Sequence, residues 1–230
     1  MSVSINEDVV LSGEAEATVS TEKYVVIFDI CSSSQIIEDL QNNGKMDAWD
    51  NFLLDVAKAM EAYIADSGIE ALIYKFLGDG YILIVNKRHS GTILPLCSKI
   101  YNIVINKLRS LIDAFSNIEI NRIGITIGID FGRLHNISIR GQEEFVGKSI
   151  NTAARLQGSL KEKKHENKLL ISKMVKNAIC GPYRSELYKD TSRIMRNLYG
   201  GARFYCYEID LTMELNTFLK SSDNGKGVDA

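Results

Sequence analysis

Two aspartates lie at the ends of apolar stretches, where a carboxylate is unusual. Asp29 is near the end of "KYVVIFDI" at 23–30, and Asp79 lies between two glycines in "YKFLGDGY" at 74–81. Each acid has an ordinary structural explanation, because Asp-Gly is the commonest sequence for a tight hairpin turn and an aspartate after a strand often caps a helix. The alternative is a pair of metal ligands, which requires the two side chains to meet.

Polar residues at two other places have the types and spacing needed to bind a nucleotide. Asn151 and Arg155 are four positions apart in "SINTAARLQ", so on a helix they share one face. The serines Ser32, Ser33 and Ser34 follow the first apolar run directly. At a strand-to-helix turn their amides would suit a phosphate group. The ordinary alternative is a helix cap by the side chain of Ser32 or Ser33, and both roles can hold together.

The patterns of apolar residues predict the elements that position these groups. Strands are predicted where β-branched and aromatic residues run together, and helices where apolar residues recur at helical spacing. Two internal glycines in "INRIGITIGIDFG" indicate a close backbone approach on one face of that strand. The predicted elements are a strand at 23–30, a helical stretch at 31–68 interrupted at Gly44, a hairpin at 70–86, a helix at 92–115, a strand at 120–132, a short strand before Gly147, a helix from about Lys148, a strand at 168–172, a helix at 172–179 and a strand at 203–210.

The first six elements give the order strand, helix, strand, strand, helix, strand, which is the ferredoxin-like or split βαβ arrangement. In that arrangement the end of the first strand and the turn of the hairpin lie at the same sheet edge, so Asp29 and Asp79 should be neighbours. Two converging carboxylates repel each other unless a cation lies between them. Oxygen ligands without Cys or His favour Mg²⁺ or Mn²⁺, and pairs of such ions serve phosphoryl displacement.

The composition is that of an ordinary globular protein. The chain has 230 residues, 45% hydrophobic and 24% charged, with a net charge of −2. This balance gives no reason to expect a nucleic acid partner or membrane insertion. No signal peptide is visible, so we expect a cytoplasmic protein. We expect one catalytic domain at 21–212 between flexible segments at 1–20 and 213–230.

Four sequence blocks resemble the conserved blocks of the class III nucleotidyl cyclases. They are "VVIFDICSSS", "YKFLGDGYILIV", "RIGITIGIDFG" and "EEFVGKSINTAARLQ", in the family's order and covering about 23–160. The stretch from Gly147 to Leu156 is the most specific. The resemblance implies an α+β, ferredoxin-like cyclase catalytic domain with extra C-terminal α/β elements. It also implies conversion of a nucleoside triphosphate to a 3′,5′-cyclic monophosphate and pyrophosphate with two Mg²⁺ or Mn²⁺ ions.

The resemblance assigns a role to each block. Asp29, Asp79 and the Ile30 carbonyl would hold the two ions; Asn151 would orient the ribose, and Arg155 would stabilise charge on the transferring phosphoryl group. In the family the acids come from one protomer and the Lys, Asn and Arg from the other. A chain that carries both sets implies a head-to-tail homodimer with two sites at its interface.

The same resemblance implies that Lys75 and Glu144 read the base. Glutamate at the second position is unusual, since many adenylyl cyclases have Asp or Thr there; its longer side chain suits a smaller ring. Ser32 stands where the family usually has Gly, and the usual triphosphate-binding Lys is missing, so we expect Arg203 or Arg196 to substitute.

The overall pattern is most similar to the stand-alone pyrimidine cyclases of bacterial anti-phage systems, whose cyclic UMP or cyclic CMP acts on a separate effector. An adenylate cyclase and a non-catalytic cyclase-homology module remain as alternatives. A diguanylate cyclase is set aside because its Gly-Gly-acid-acid-Phe turn is absent from the sequence.

Overall fold

The computed structural model describes residues 20–113, 123–162, 165–179, 188–194 and 203–212. Within these ranges the chain forms eight strands, five α-helices and one 3₁₀ helix. The strands are β1 (Ser20–Ile30), β2 (Ala71–Phe76), β3 (Gly80–Asn86), β4 (Ile125–Ile139), β5 (Gln142–Val146), β6 (Lys168–Ser172), β7 (Lys189–Ile194) and β8 (Arg203–Asp210). The helices are α1 (Ser33–Asn42), α2 (Met46–Ser67), α3 (Ile93–Asp113), α4 (Lys148–Glu162) and α5 (Lys173–Ile179), with a 3₁₀ helix at Lys87–Thr92.

The described strands form one sheet in the order β2-β3-β1-β4-β6-β8-β7, and β5 pairs with β4 outside this path. Strand β3 lies between β1 and β2 and is antiparallel to both, so β1 and β2 run parallel. This is the predicted split βαβ order. The C-terminal strands β6, β7 and β8 extend the sheet beyond β4, to which β6 is parallel. The α+β fold predicted from the sequence is therefore confirmed.

The central strand β1 is buried on both faces and divides the core in two. Tyr24, Val26 and Phe28 pack in the larger cluster with residues of α1, α2 and α3. Val25 and Ile27 pack in a second cluster on the opposite face, which includes a residue of α4. Because side chains alternate along a strand, Asp29 lies on the same face as Val25 and Ile27, the face that α4 covers.

Helix α4 lies directly against strand β4, as the internal glycines of that strand predicted. A Cβ atom built on Gly128 would be 2.2 Å from the carbonyl oxygen of Ala153. One turn further, the buried Gln157 amide donates to Thr126 Oγ1 over 2.7 Å. Thr126 is the residue of β4 that pairs with Asp29 in β1, so the C-terminal end of α4 lies beside Asp29.

Two features of the fold differ from the expectation. Strand β4 continues to Ile139 and forms a hairpin with β5 through Arg140 and Gly141, both at positive φ as a primed turn requires. Strand β7, "KDTSRI", was not predicted because it lacks apolar alternation. It is an edge strand, held in part by Arg193, whose guanidinium donates to Glu208 in β8 at 2.8 Å.

The ends of the chain add little to this description. The expected flexible segments, 1–20 and 213–230, lie outside the described residues except for Ser20, the first residue of β1. In the described ranges, no helix combines the length and apolar composition needed to cross a bilayer.

Candidate active site

The turn that carries Asp79 is fastened to the end of the strand that carries Asp29. The Ile30 amide donates to the Asp79 carbonyl at 3.1 Å, and Gly80 pairs with Asp29 across the strands. The approach is so close that a Cβ on Gly80 would lie 2.0 Å from the Phe28 carbonyl oxygen. The glycine after Asp79 is thus needed for close strand pairing, and the two acids become neighbours as predicted.

Both carboxylates converge on one cation, the ammonium of Lys161 in the last turn of α4. Lys161 Nζ lies 2.8 Å from Asp29 Oδ2 and 3.7 Å from Asp79 Oδ2. The Ser33 hydroxyl also donates to Asp79 Oδ2. The ammonium stands where a cation shared by the two acids would lie, so the position and the hard oxygen donors fit Mg²⁺ or Mn²⁺. The described residues contain no group of three or more His, Cys, Asp or Glu side chains able to hold a metal ion. Main-chain, water or substrate oxygens would have to complete the coordination of an ion held here.

A positive charge beside Asp29 and Asp79 stabilises their ionised forms. Burial and then the neighbouring Asp79 carboxyl raise the pKa of Asp29 to about 6, although the Lys161 ammonium opposes this shift. Burial also lowers the pKa of Lys161, but the hydrogen bond and charge of Asp29 outweigh it, so the pKa of Lys161 is raised overall. A cation between the acids offsets their repulsion and favours the ionised form of both.

The serine loop has a strained backbone and does not cap α1 with a side chain. Ser32 is the N-cap residue in a left-handed conformation, with φ 60° and ψ 17°, and its side chain makes no capping hydrogen bond. The alternative of a side-chain cap by Ser32 or Ser33 is not observed, because the Ser32 side chain makes no capping hydrogen bond and Ser33 donates its hydroxyl to Asp79. A cap by Asp29 is not observed either, since that residue lies within β1. The first amides of α1, at Ser33 and Ser34, begin next to the acid pair, where a phosphate would be placed.

The two predicted base-reading residues are in contact within one chain. Lys75 Nζ lies 2.6 Å from Glu144 Oε2, and this pairing lowers the pKa of Glu144 and raises that of Lys75. A third residue, Tyr74, donates its hydroxyl to the same carboxylate oxygen and accepts a hydrogen bond from the Phe145 amide at 3.0 Å. Tyr74 therefore links the Glu144 carboxylate to the main chain of the next residue, Phe145, in β5.

Sequence reasoning missed Tyr74 because its orientation depends on a β-bulge. Between Ile73 and Lys75 strand β2 has one residue more than its partner β3, and Tyr74 is the extra residue. In a regular strand two consecutive side chains point to opposite faces, so they could not both reach one carboxylate. Lys161 was missed for another reason: it belongs to the charged run "KEKKHE", in which nothing distinguishes one lysine from the next.

Asn151 and Arg155 lie on α4 but do not reach the acids of their own chain. Arg155 is six positions before Lys161, about 9 Å along the helix axis. Asn151 is exposed, and Arg155 Nη1 is buried with no hydrogen-bond partner among the described residues. An unpaired guanidinium nitrogen in a buried position is costly, and it is what a group awaiting an anionic partner would show.

Arg203 and Arg196 are the two candidates to replace the missing triphosphate-binding lysine. Arg203 is the first residue of β8, and Asp210 is the last. Asp210 pairs with the start of β6, which pairs with Thr126 of β4, the partner of Asp29. Arg203 thus lies at the far end of the sheet from the acids of its own chain. Arg196 lies outside the described residues.

No family model and no curated protein matches this sequence. Solved structures do match. The guanylyl cyclase Cya2 superposes with a TM-score of 0.64 at 13% identity, over 84% of this chain and 94% of that one. The adenylyl cyclase CyaB from P. aeruginosa gives 0.56 at 16% identity, over 85% and 98%. An adenylate cyclase from Trypanosoma brucei gives 0.58 at 14% identity, over 84% and 91%. The chain therefore has the fold of the class III cyclase catalytic domain.

Proposed function

We propose that this protein is a nucleotidyl cyclase that converts a nucleoside triphosphate to a 3′,5′-cyclic monophosphate and pyrophosphate. One observation carries the proposal: in a cyclase fold, Asp29 and Asp79 converge on a single cation at the end of the central strand. The order of the strands explains why these two acids, fifty positions apart, meet at all.

In this proposal Asp29, Asp79 and the Ile30 carbonyl hold two Mg²⁺ or Mn²⁺ ions. When bound, these ions lower the pKa of the ribose 3′-hydroxyl and neutralise charge on the triphosphate. The amides of Ser33 and Ser34 at the start of α1 donate hydrogen bonds to phosphate oxygens. The 3′-oxygen forms a bond to the α-phosphorus, the bond to the pyrophosphate oxygen breaks, and the hydroxyl proton leaves to water.

The remaining catalytic groups come from a second copy of the chain. Asn151 of the partner subunit orients the ribose, and Arg155 of the partner subunit stabilises charge on the transferring phosphoryl group. The distance along α4 between Arg155 and the lysine at the acids supports this division. A head-to-tail homodimer places two such sites at one interface, and the monomer is inactive.

For the base we propose a pyrimidine, UTP or CTP, with ATP as the alternative. Tyr74 and Lys75 both donate to Glu144 Oε2, so the carboxylate is held and its other oxygen, Oε1, is the acceptor we assign to the base. Cytosine N4–H₂, uracil N3–H and adenine N6–H₂ all donate there. The length of the glutamate side chain favours the smaller ring.

The test of activity is incubation of the dimeric protein with each of the four triphosphates and Mn²⁺, followed by chromatography for cyclic product. We expect cyclic UMP or cyclic CMP as the main product, and none from Asp79→Asn. Failure of all four substrates in folded, dimeric protein refutes the proposal. Nucleotide binding without turnover would instead establish a non-catalytic module.

We further propose that the cyclic nucleotide signals in anti-phage defence by activating a separate effector. The resemblance of the sequence blocks supports this role. Bacteria that express the protein together with an effector activated by cyclic UMP or cyclic CMP should resist phage, and Asp79→Asn should remove both the resistance and the rise in cyclic pyrimidine nucleotide. Resistance that survives in Asp79→Asn contradicts this role.

A further inference from the structure

Lys161 occupies the position that the proposed function gives to a metal ion. Its ammonium lies 2.8 Å from Asp29 Oδ2 and 3.7 Å from Asp79 Oδ2. A divalent ion shared by these oxygens, at about 2.1–2.5 Å from each, would overlap the ammonium or lie within direct repulsion of it. The lysine contact and a shared metal ion therefore exclude each other.

The surroundings allow the lysine to leave. The Lys161 side chain is 56% exposed, whereas those of Asp29 and Asp79 are 12% and 22% exposed, so the lysine lies on the solvent side of the two acids. Lys161 lies in the last turn of α4, where a positive charge is also favoured by the helix dipole. On leaving the pair the exposed ammonium is solvated by water, and the buried Asp29 carboxylate then needs another cation, which the metal ion supplies.

We propose that Lys161 is a resident cation of the active site: it neutralises Asp29 and Asp79 in the free protein and is displaced when metal ions bind. The inference rests on the proposed metal site. Because the lysine competes with the metal, the free protein binds divalent ions more weakly than its two carboxylates alone would. Without the lysine, the metal-free protein has two close carboxylates and no cation between them.

The test uses the full chain, stripped of metal with a chelator and then titrated with Mn²⁺ in the absence of nucleotide, with free Mn²⁺ followed by electron paramagnetic resonance. Lys161→Met should bind Mn²⁺ about three- to tenfold more tightly than the wild type, because the ion then neither displaces an ammonium nor meets its like charge. Lys161→Gln is the second variant. Lys58→Met on the exposed face of α2 removes the same charge at a distance and should leave Mn²⁺ affinity unchanged.

Thermal unfolding provides a second readout that does not depend on turnover. In chelator, Lys161→Met should unfold at a lower temperature than the wild type, because the two acids then face each other without a cation. In saturating Mn²⁺ the two proteins should unfold at the same temperature, since the metal replaces the lysine in both.

The outcomes separate this inference from the proposed function. If Asp79→Asn abolishes Mn²⁺ binding while both Lys161 variants bind it no more tightly than the wild type, the resident-cation proposal is wrong and the metal site stands. If Mn²⁺ binding is insensitive to Asp79→Asn, the metal is elsewhere and both proposals are overturned. Tighter binding in the Lys161 variants, lost on Asp79→Asn, supports both.

Discussion

Replacing Gly80 with alanine tests how closely the turn that carries Asp79 is bound to strand β1. The new Cβ would lie 2.0 Å from the Phe28 carbonyl oxygen and 2.9 Å from Asp29 Cα, both main-chain atoms that no side-chain rotation can move. Ordinary contact begins near 3.4 Å, so the strands must separate by about 1.4 Å at this point. The turn, with the Asp79 carboxylate, must move with them.

Two terms set the expected loss of stability in Gly80→Ala. Overpacking of a tight site costs about 1–3 kcal/mol. Separation of the strands also weakens the hydrogen bond from the Ile30 amide to the Asp79 carbonyl, now 3.1 Å, and a bond of this kind contributes about 1 kcal/mol. The free energy of unfolding should therefore fall by about 2–4 kcal/mol. A displacement of this size in a ligand pair should also weaken Mn²⁺ binding about tenfold or more.

Urea unfolding measures the first effect and Mn²⁺ titration the second. The matched control is Gly91→Ala, because a Cβ there meets nothing within 4 Å and the backbone is not at positive φ. If Gly80→Ala and the control unfold at the same urea concentration and bind Mn²⁺ equally, the close pairing of β3 with β1 does not position Asp79, and the reasoning fails.

Three further predictions concern the loop and the base-reading residues. Tyr74→Phe frees Glu144 and should raise KM for the preferred triphosphate about tenfold with a smaller change in kcat; unchanged selectivity among competing UTP, CTP and ATP would exclude this role. Ser32→Gly removes the strain of a left-handed serine, so the free energy of unfolding in urea should rise by about 1 kcal/mol. A fall in that free energy would show that Ser32 is not strained. Base selectivity should not change across neutral pH, because the pKa of Glu144 is lowered and that of Lys75 raised, away from neutrality; a sigmoidal pH profile of selectivity would show that another group reads the base.

The meeting of Asp29 and Asp79 could be predicted from the sequence because it follows from the order of elements. A run of buried strand, helix and hairpin leaves few topologies, and in the split βαβ one the hairpin turn must lie beside the end of the first strand. The shared role of Lys75 and Glu144 in base reading was implied only by the family resemblance, since nothing in spacing alone joins residues so far apart in the chain.

The residues that sequence reasoning missed depend on local geometry. Tyr74 reaches Glu144 only because β2 has one extra residue, and a bulge leaves no mark in an apolar run. The conformation of Ser32 could not be read from a serine, a residue that ordinarily caps helices with its side chain. Strand β7 forms from a polar segment because it pairs with β8, so its strand structure comes from tertiary contacts rather than from propensity.

The central claim is that each site joins the acids of one chain to the arginine of another. Mixing two inactive variants tests it most directly. Asp79→Asn and Arg155→Ala should each be inactive as homodimers. After subunit exchange half of the dimers are mixed, and each mixed dimer has one intact site, so cyclase activity should return to about a quarter of the wild-type value. A mixture that stays inactive although exchange is complete, or an Arg155→Ala homodimer with full activity, would contradict the account.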